Sequence, residues 1–232
     1  SDLRVQYGTD DGQVKAVDGA GFKLRRGERF ALVGESGSGK TTMAMALMRL
    51  TRPPGEVVGG TILLEGRDIL QFGDDEIRAT RLAEIALVQQ GAMNSLNPVL
   101  RVGAQMIGAL NDHGVQGTKN ELRERIGDLL ERVGLSRDVA QMYPHELSGG
   151  MKQRVGIATA TSLNPKVIVA DEPTSALDVV VQRQVMVTLG RVQEGLGAAV
   201  ILVGHDMGLV AQFADTVGVM YAGKLVEVGP VD

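Results

Sequence analysis

The chain has no cysteine among its 232 residues, which excludes disulfides, thiolate metal sites and a thiol nucleophile. That fits a reducing compartment. No run approaches the about 18 consecutive apolar residues that cross a bilayer, and the first residues do not read as a signal peptide. A membrane role therefore has to come through other chains. Basic charge is not in excess: 24 Lys and Arg stand against 28 Asp and Glu, and the net charge of −4 argues against a nucleic-acid partner. There is no internal repeat and no low-complexity tract. What remains is an ordinary globular composition, 44% hydrophobic and 22% charged, long enough for one large α/β domain or a core with a subdomain.

Three short apolar runs, Ala31 to Val33, Val167 to Ala170 and Ala199 to Val203, each lead into a polar or glycine-rich turn. They read as strands of a parallel sheet covered on both faces. Thr41 to Leu50 is rich in helix formers and is stopped by Pro53-Pro54. The pattern of strand, glycine loop and helix predicts a doubly wound sheet. Antiparallel strands are expected at Leu3 to Tyr7 and Gly21 to Leu24, before a turn at Arg25-Arg26-Gly27. More are expected near Thr61 to Leu64 and at Val217 to Tyr221 with Lys224 to Val228, around Ala222-Gly223. From Val102 to Val133 the pattern is helical. Leu122, Ile126, Leu129, Leu130 and Val133 form an apolar stripe, and Glu121, Arg123, Glu124, Arg125, Asp128 and Glu131 form a solvated face. The expected architecture is α/β, with a mixed, mainly parallel sheet and an N-terminal antiparallel part. The core covers residues 1–89 and 159–232, and a helical subdomain is inserted at residues 90–158.

Gly34-Glu35-Ser36-Gly37-Ser38-Gly39-Lys40-Thr41 fits the P-loop pattern G-x-x-x-x-G-K-[ST] completely. Its glycines let backbone N–H groups close around phosphate oxygens, and the helix that follows directs its positive end at them. Lys40 can reach the terminal phosphates, and the Thr41 hydroxyl can join a magnesium shell. Val167 to Ala170 ends in Asp171-Glu172. Two carboxylates at the end of an apolar strand are costly without a cation or donors nearby. Asp171 is placed to hold Mg²⁺, and Glu172 to take a proton from water. Leu147-Ser148-Gly149-Gly150 opens a helical run, Met151 to Leu163. Ser148 is a good N-cap, and its glycines leave the helix end open to an anion. His113 reads as loop surface and His145 as a residue on the approach to that helix, neither as a metal ligand.

Together with Ser175-Ala176-Leu177-Asp178, these motifs stand in the order of the ATP-binding-cassette ATPases, a resemblance that covers the chain from about Leu3 to Val231. His205 resembles that family's switch histidine, and Gln89 its Q-loop glutamine. More locally, Asn94 to Pro98, Tyr143 to Leu147, Met220 to Gly223 and Asp178 to Gln182 resemble the oligopeptide, dipeptide and nickel importer branch.

The resemblance implies a P-loop ATPase with ATP and Mg²⁺ as its cofactors. Gly34, Glu35, Ser36, Gly37, Ser38, Gly39, Lys40, Thr41 and Thr42 (Walker A) would hold the phosphates. Thr41, Gln89 and Asp171 (Walker B) would serve the metal. Tyr7 would stack on adenine with Val17 beside it. Ser148, Gly149 and Gly150 would contact the γ-phosphate held by an opposite subunit, Asp178 would link the two sites, and His205 would sense the γ-phosphate. Catalysis would rest on Glu172, His205, Gln89 and Lys40.

As partners the resemblance implies a second ATPase subunit, identical or paralogous, two transmembrane permease subunits and, indirectly, an extracytoplasmic solute-binding protein, with no nucleic acid. The location implied is the cytoplasmic face of a prokaryotic membrane, and the cargo a di- or oligopeptide. An exporter motor or a non-transport ATPase is the alternative. The stretch from Lys40 to Leu147 has neither heptads nor cysteine, which disfavours the chromosome-organising and repair members. Three positions depart from the family pattern: Met151 for glutamine, Gln90-Gly91 for Asp-Pro, and Gly204 for threonine or serine. The branch continues past Asp232 with a segment that often bears cysteine, and this chain begins without methionine, so a trimmed chain is expected.

Overall fold

Phe30 to Val33 are almost wholly buried, and this apolar run is the strand around which the first unit forms. The structure, a computed structural model, describes residues 1–10, 12–89 and 96–231. It divides into two compact units, one of residues 1–81 and 199–232, the other of residues 82–198.

In the first unit β1 (Leu3–Thr9) pairs antiparallel with β2 (Gly12–Ala20) on one side and β4 (Gly55–Gly59) on the other. A second set of strands runs β11 (Lys224–Pro230), β10 (Thr216–Tyr221), β3 (Arg29–Val33) and β9 (Ala199–Val203). The pairs β10–β3 and β3–β9 are parallel, and β10–β11 is the antiparallel hairpin expected around Ala222-Gly223. A short hairpin joins β5 (Leu63–Leu64) to β6 (Arg67–Asp68). The helices are α1 (Lys40–Leu47), α2 (Asp74–Thr80) and α7 (Met207–Phe213). The Arg81 guanidinium donates to the Met48 and Arg49 carbonyls just past the end of α1, at 2.9 and 2.6 Å.

In the second unit β7 (Ile85–Val88) and β8 (Val167–Asp171) pair in parallel. Its helices are α3 (Val102–Asp112), α4 (Lys119–Arg132), α5 (Gly149–Ala160) and α6 (Val179–Leu196). The α4 stripe is buried at Ile126, Leu129, Leu130 and Val133. The charges expected on a solvated face at Glu124, Asp128 and Glu131 are exposed, and all three also pair with Arg137. The hydrogen bond that Arg137 donates to Glu131 is the largest of the effects that hold its guanidinium above its usual pKa.

Three sequence expectations change. The partner of β1 is Gly12–Ala20 rather than Gly21–Leu24, which is not a strand. The polar, glycine-containing segment wins because it is next in the chain and closes a hairpin. The helical stretch 102–133 is two helices, because Gly114 takes φ 73° after His113 and ends the first. The helix after the P-loop stops at Leu47, three residues early. Among the described residues no helix is long and apolar enough to cross a membrane.

Candidate functional site

The P-loop in the first unit is shaped by what cannot fit there. Gly34 ends β3 at φ 148°, and a Cβ on it would lie 2.2 Å from the Met220 carbonyl oxygen. Gly39, at φ 103°, would place a Cβ 2.1 Å from the Ala16 carbonyl oxygen. Only glycine satisfies either position. The loop is braced from the β10–β11 turn: Gly223 N–H donates to the Ser38 carbonyl at 3.0 Å, and Asp18 N–H donates to the Gly223 carbonyl at 2.8 Å.

Inside the loop the Lys40 ammonium, 6% exposed, donates to the Gly34 and Glu35 carbonyls, each at 2.8 Å. A buried cation is thus kept by the loop itself. The Ser38 hydroxyl is also buried, with no hydrogen-bond partner among the described residues, and a phosphate oxygen would satisfy it. Glu35, Ser36, Gly37 and Thr41 are exposed, and Thr42 is half-buried. Helix α1 has neither a side-chain cap nor an acid in its first turn, so its positive end is left to the loop.

Tyr7 lies in β1, opposite Val14 of β2 and Gly55 of β4. Its ring packs over Gly55, where a Cβ would come within 2.5 Å of Cε1. Val17 is fully buried and stands opposite Val5, whereas Val14, across from Tyr7, is 53% exposed. Sequence reasoning passed over Val14; the alternation of β2 is the signal that could have found it. His205 is exposed after β9, and the next residue, Asp206, caps α7 by accepting from the Gly208 and Leu209 N–H groups.

In the second unit Val88 pairs with Ala170, so Gln89 and Asp171 are each the next residue at one end of a parallel pair. Asp171 is 1% exposed and Gln89 is exposed. Glu172 takes φ 42°, a left-handed conformation unusual for a non-glycine residue and one that clusters at functional sites. Its carbonyl accepts from the Ser175 hydroxyl. The expected cap at Ser148 is present, its hydroxyl accepting from Met151 N–H at 3.3 Å. Asp178 caps α6 in the same manner, its carboxylate accepting from Val181 N–H at 3.0 Å. Ser148 and Asp178 are both exposed. The Q-loop positions after Gln89, residues 90–95, lie outside the described residues.

Thr41 in the first unit, and Gln89 and Asp171 in the second, each carry a hard oxygen donor of the kind that suits magnesium. No three His, Asp or Glu side chains among the described residues form a metal cage.

The chain matches the model of the ABC transporter family over residues 17–175. The oligopeptide transport ATP-binding protein OppD of Bacillus subtilis is 43% identical to it, over 100% of this chain and 65% of that protein. OppD of Salmonella typhimurium is 45% identical, over 99% of this chain and 68% of its own length. The chain thus spans about two thirds of the length of these curated relatives. A dimeric ATP-binding cassette, solved in a post-hydrolysis state with ADP and Pi, superposes with a TM-score of 0.87 at 27% identity, over 100% of this chain and 97% of that one.

Proposed function

The chain belongs to the ABC transporter family, in the branch of oligopeptide and dipeptide import ATP-binding proteins, and from that premise we propose that it is the ATP-hydrolysing subunit of a peptide importer. The observation that carries the ATP-binding half of this reading is the P-loop, with its buried Lys40 and its unpartnered Ser38 hydroxyl.

ATP phosphates take the P-loop amides, the Ser38 hydroxyl and the Lys40 ammonium, which exchanges the Gly34 and Glu35 carbonyls for phosphate oxygens. Tyr7 stacks on the base, with Val14 as well as Val17 on its β2 side. Thr41, Asp171 and Gln89 are the residues that would hold magnesium, which would supply neutralisation of the phosphate charge. The Ser148-Gly149-Gly150 helix end of a second ATPase subunit, identical or paralogous, covers the γ-phosphate with its N–H groups. Glu172 accepts the proton of the attacking water, His205 bonds the γ-phosphate, and Asp178 links the paired sites. Hydrolysis removes the charge that bridges the subunits, and the dimer opens. Membrane subunits receive that motion on the cytoplasmic face, and a solute-binding protein outside delivers the peptide.

The test is Mg²⁺-dependent ATP hydrolysis measured over a range of protein concentrations, with Glu172→Gln as the blank. Specific activity that climbs with concentration and vanishes in the variant supports composite sites between two copies. Activity equal to the blank throughout removes the homodimeric form of the reading.

A further inference from the structure

Gly150, the second glycine after Ser148, is buried on α5 and its backbone does not require glycine, since its φ is not in the left-handed region. Its lack of a side chain has another cause. A Cβ built on it would lie 2.4 Å from Val181 Cγ1, while the only other atom of the described residues within reach, outside the helix's own backbone, is Val181 Cβ at 3.8 Å, an ordinary contact. One methyl group therefore accounts for the whole exclusion.

Val181 also touches the neighbouring helix end. It is the residue whose N–H the Asp178 carboxylate accepts at 3.0 Å to cap α6. The backbone of Val181 is thus fixed to Asp178, and its side chain is pressed on the residue two positions past Ser148. A valine on a helix is confined to essentially one χ1 rotamer, so it cannot swing aside.

We propose that Val181 is a positioning residue that sets the spacing between the two helix N-termini capped by Ser148 and Asp178. The proposal rests on the ATPase reading above, in which one of these ends meets the γ-phosphate and the other links the two sites. A methyl at position 150 has to be accommodated by the backbone: opening a carbon–carbon contact to its usual 3.5–4.0 Å displaces the helix ends by about 1 Å. A displacement of that size at a group that orients a reacting phosphate costs about 10²-fold in turnover.

The test is a cycle of the wild-type chain, Gly150→Ala, Val181→Ala and the double variant, with Gly150→Ala/Val181→Thr as a fifth protein. Turnover at saturating MgATP, the affinity of the isolated chain for a fluorescent ATP analogue, and melting temperature are read for each. Gly150→Ala loses about 10²-fold in turnover while its nucleotide affinity holds, because the P-loop is untouched. Removing the Val181 branches gives the new methyl its space, and the double variant recovers about tenfold or more over Gly150→Ala, the size of coupling that contacting residues show. Threonine keeps both branches and recovers nothing.

A double variant as slow as Gly150→Ala overturns the proposal, for the methyl is then excluded by the phosphate and not by Val181. So does a Gly150→Ala chain as active as wild type. If the wild-type chain proves inert, the homodimeric form of the ATPase reading falls separately. The contact is then read by melting, where a double variant that melts no higher than Gly150→Ala overturns it.

Discussion

The P-loop and the Ser148 helix end both turn backbone N–H groups outward, yet they are finished in opposite ways. The P-loop is complete in the free chain: glycines that nothing else can replace, a buried ammonium held by the loop's own carbonyls, and a brace from Gly223. The Ser148 end has a one-residue cap and lies exposed, and its nearest cation, Lys152 at the fourth position of the helix, is half-buried rather than enclosed as Lys40 is. The first can grip an anion unaided. The second offers its N–H groups from an exposed end, which suits the proposed role of completing a site supplied by another subunit. Binding and completion are assigned to different kinds of backbone, and substitutions can separate them.

The largest effect belongs to neither backbone but to Glu172. Glu172→Gln keeps the left-handed turn and removes the proposed base, so turnover should fall about 10²–10⁴-fold while ATP affinity stays within error of wild type. Single-turnover hydrolysis alongside equilibrium nucleotide binding decides this. A variant that turns over normally shows that the proton goes elsewhere.

Next comes the P-loop glycine. Gly39→Ala puts a Cβ 2.1 Å from the Ala16 carbonyl oxygen at φ 103°, combining backbone strain with overpacking for about 2–5 kcal/mol. Gly37 has a positive φ but nothing within 4 Å of its Cβ position, so Gly37→Ala meets strain alone and costs about 1–2 kcal/mol. Calorimetry on the two variants should rank them in that order, and nucleotide affinity should fall with the first far more than with the second. Equal losses would mean that the crowding by Ala16 does not shape the loop.

How much of this could be read beforehand depended on how local the cause was. The P-loop, the strand ending in Asp171-Glu172 and the Ser148 cap were legible because each is decided within about four to eight residues, by a turn requirement or an N-cap. The partner of β1 was not. Its segment is polar and partly exposed, and weak alternation in Gly12–Ala20 loses to the apolar look of Gly21–Leu24 unless the hairpin is already known. The break at Gly114 hid inside a continuous apolar period. The demand at Gly150 comes from a methyl on another helix, and the brace at Gly223 serves a loop far back in the chain. Neither leaves a mark on its own neighbours in sequence. Val14 fell between the two cases, its exposure set by a strand whose bounds were misplaced.

A sharper test of the contrast adds charge to the completing end. Met151 is the third residue of α5, so Met151→Glu makes a Ser148-x-x-Glu capping box of the kind Thr118 and Glu121 already form on α4. The added acid stabilises the helix by about 0.3–1 kcal/mol through its favourable place at the N-terminus. Under the proposed function the same charge faces the incoming γ-phosphate, and turnover should fall about tenfold, equivalent to about 1.4 kcal/mol of lost attraction. Stability and activity should therefore move in opposite directions, by melting and by steady-state assay. If both rise, the Ser148 end does not meet an anion.

The smallest effect is the control on α4, whose N-terminus has a complete box and no assigned ligand. There Thr118 accepts from Glu121 N–H at 3.3 Å, and the Glu121 carboxylate accepts from Thr118 N–H at 2.7 Å. The backbone bond from Thr118, followed by its hydroxyl, lowers the Glu121 pKa, so the folded chain holds the charged form more firmly than the unfolded one. The sign follows: this contribution is present above the ordinary glutamate range and is lost as pH falls through the depressed folded value. Thr118→Ala should cost about 1 kcal/mol at neutral pH, with ATP affinity and turnover unchanged. The difference from wild type should narrow in acid, where the carboxylate is protonated in both states. A loss of turnover in Thr118→Ala matching that of Met151→Glu would show that any disturbance of a helix end in this unit slows the reaction, and the distinction between an anion-meeting end and a structural one would fail.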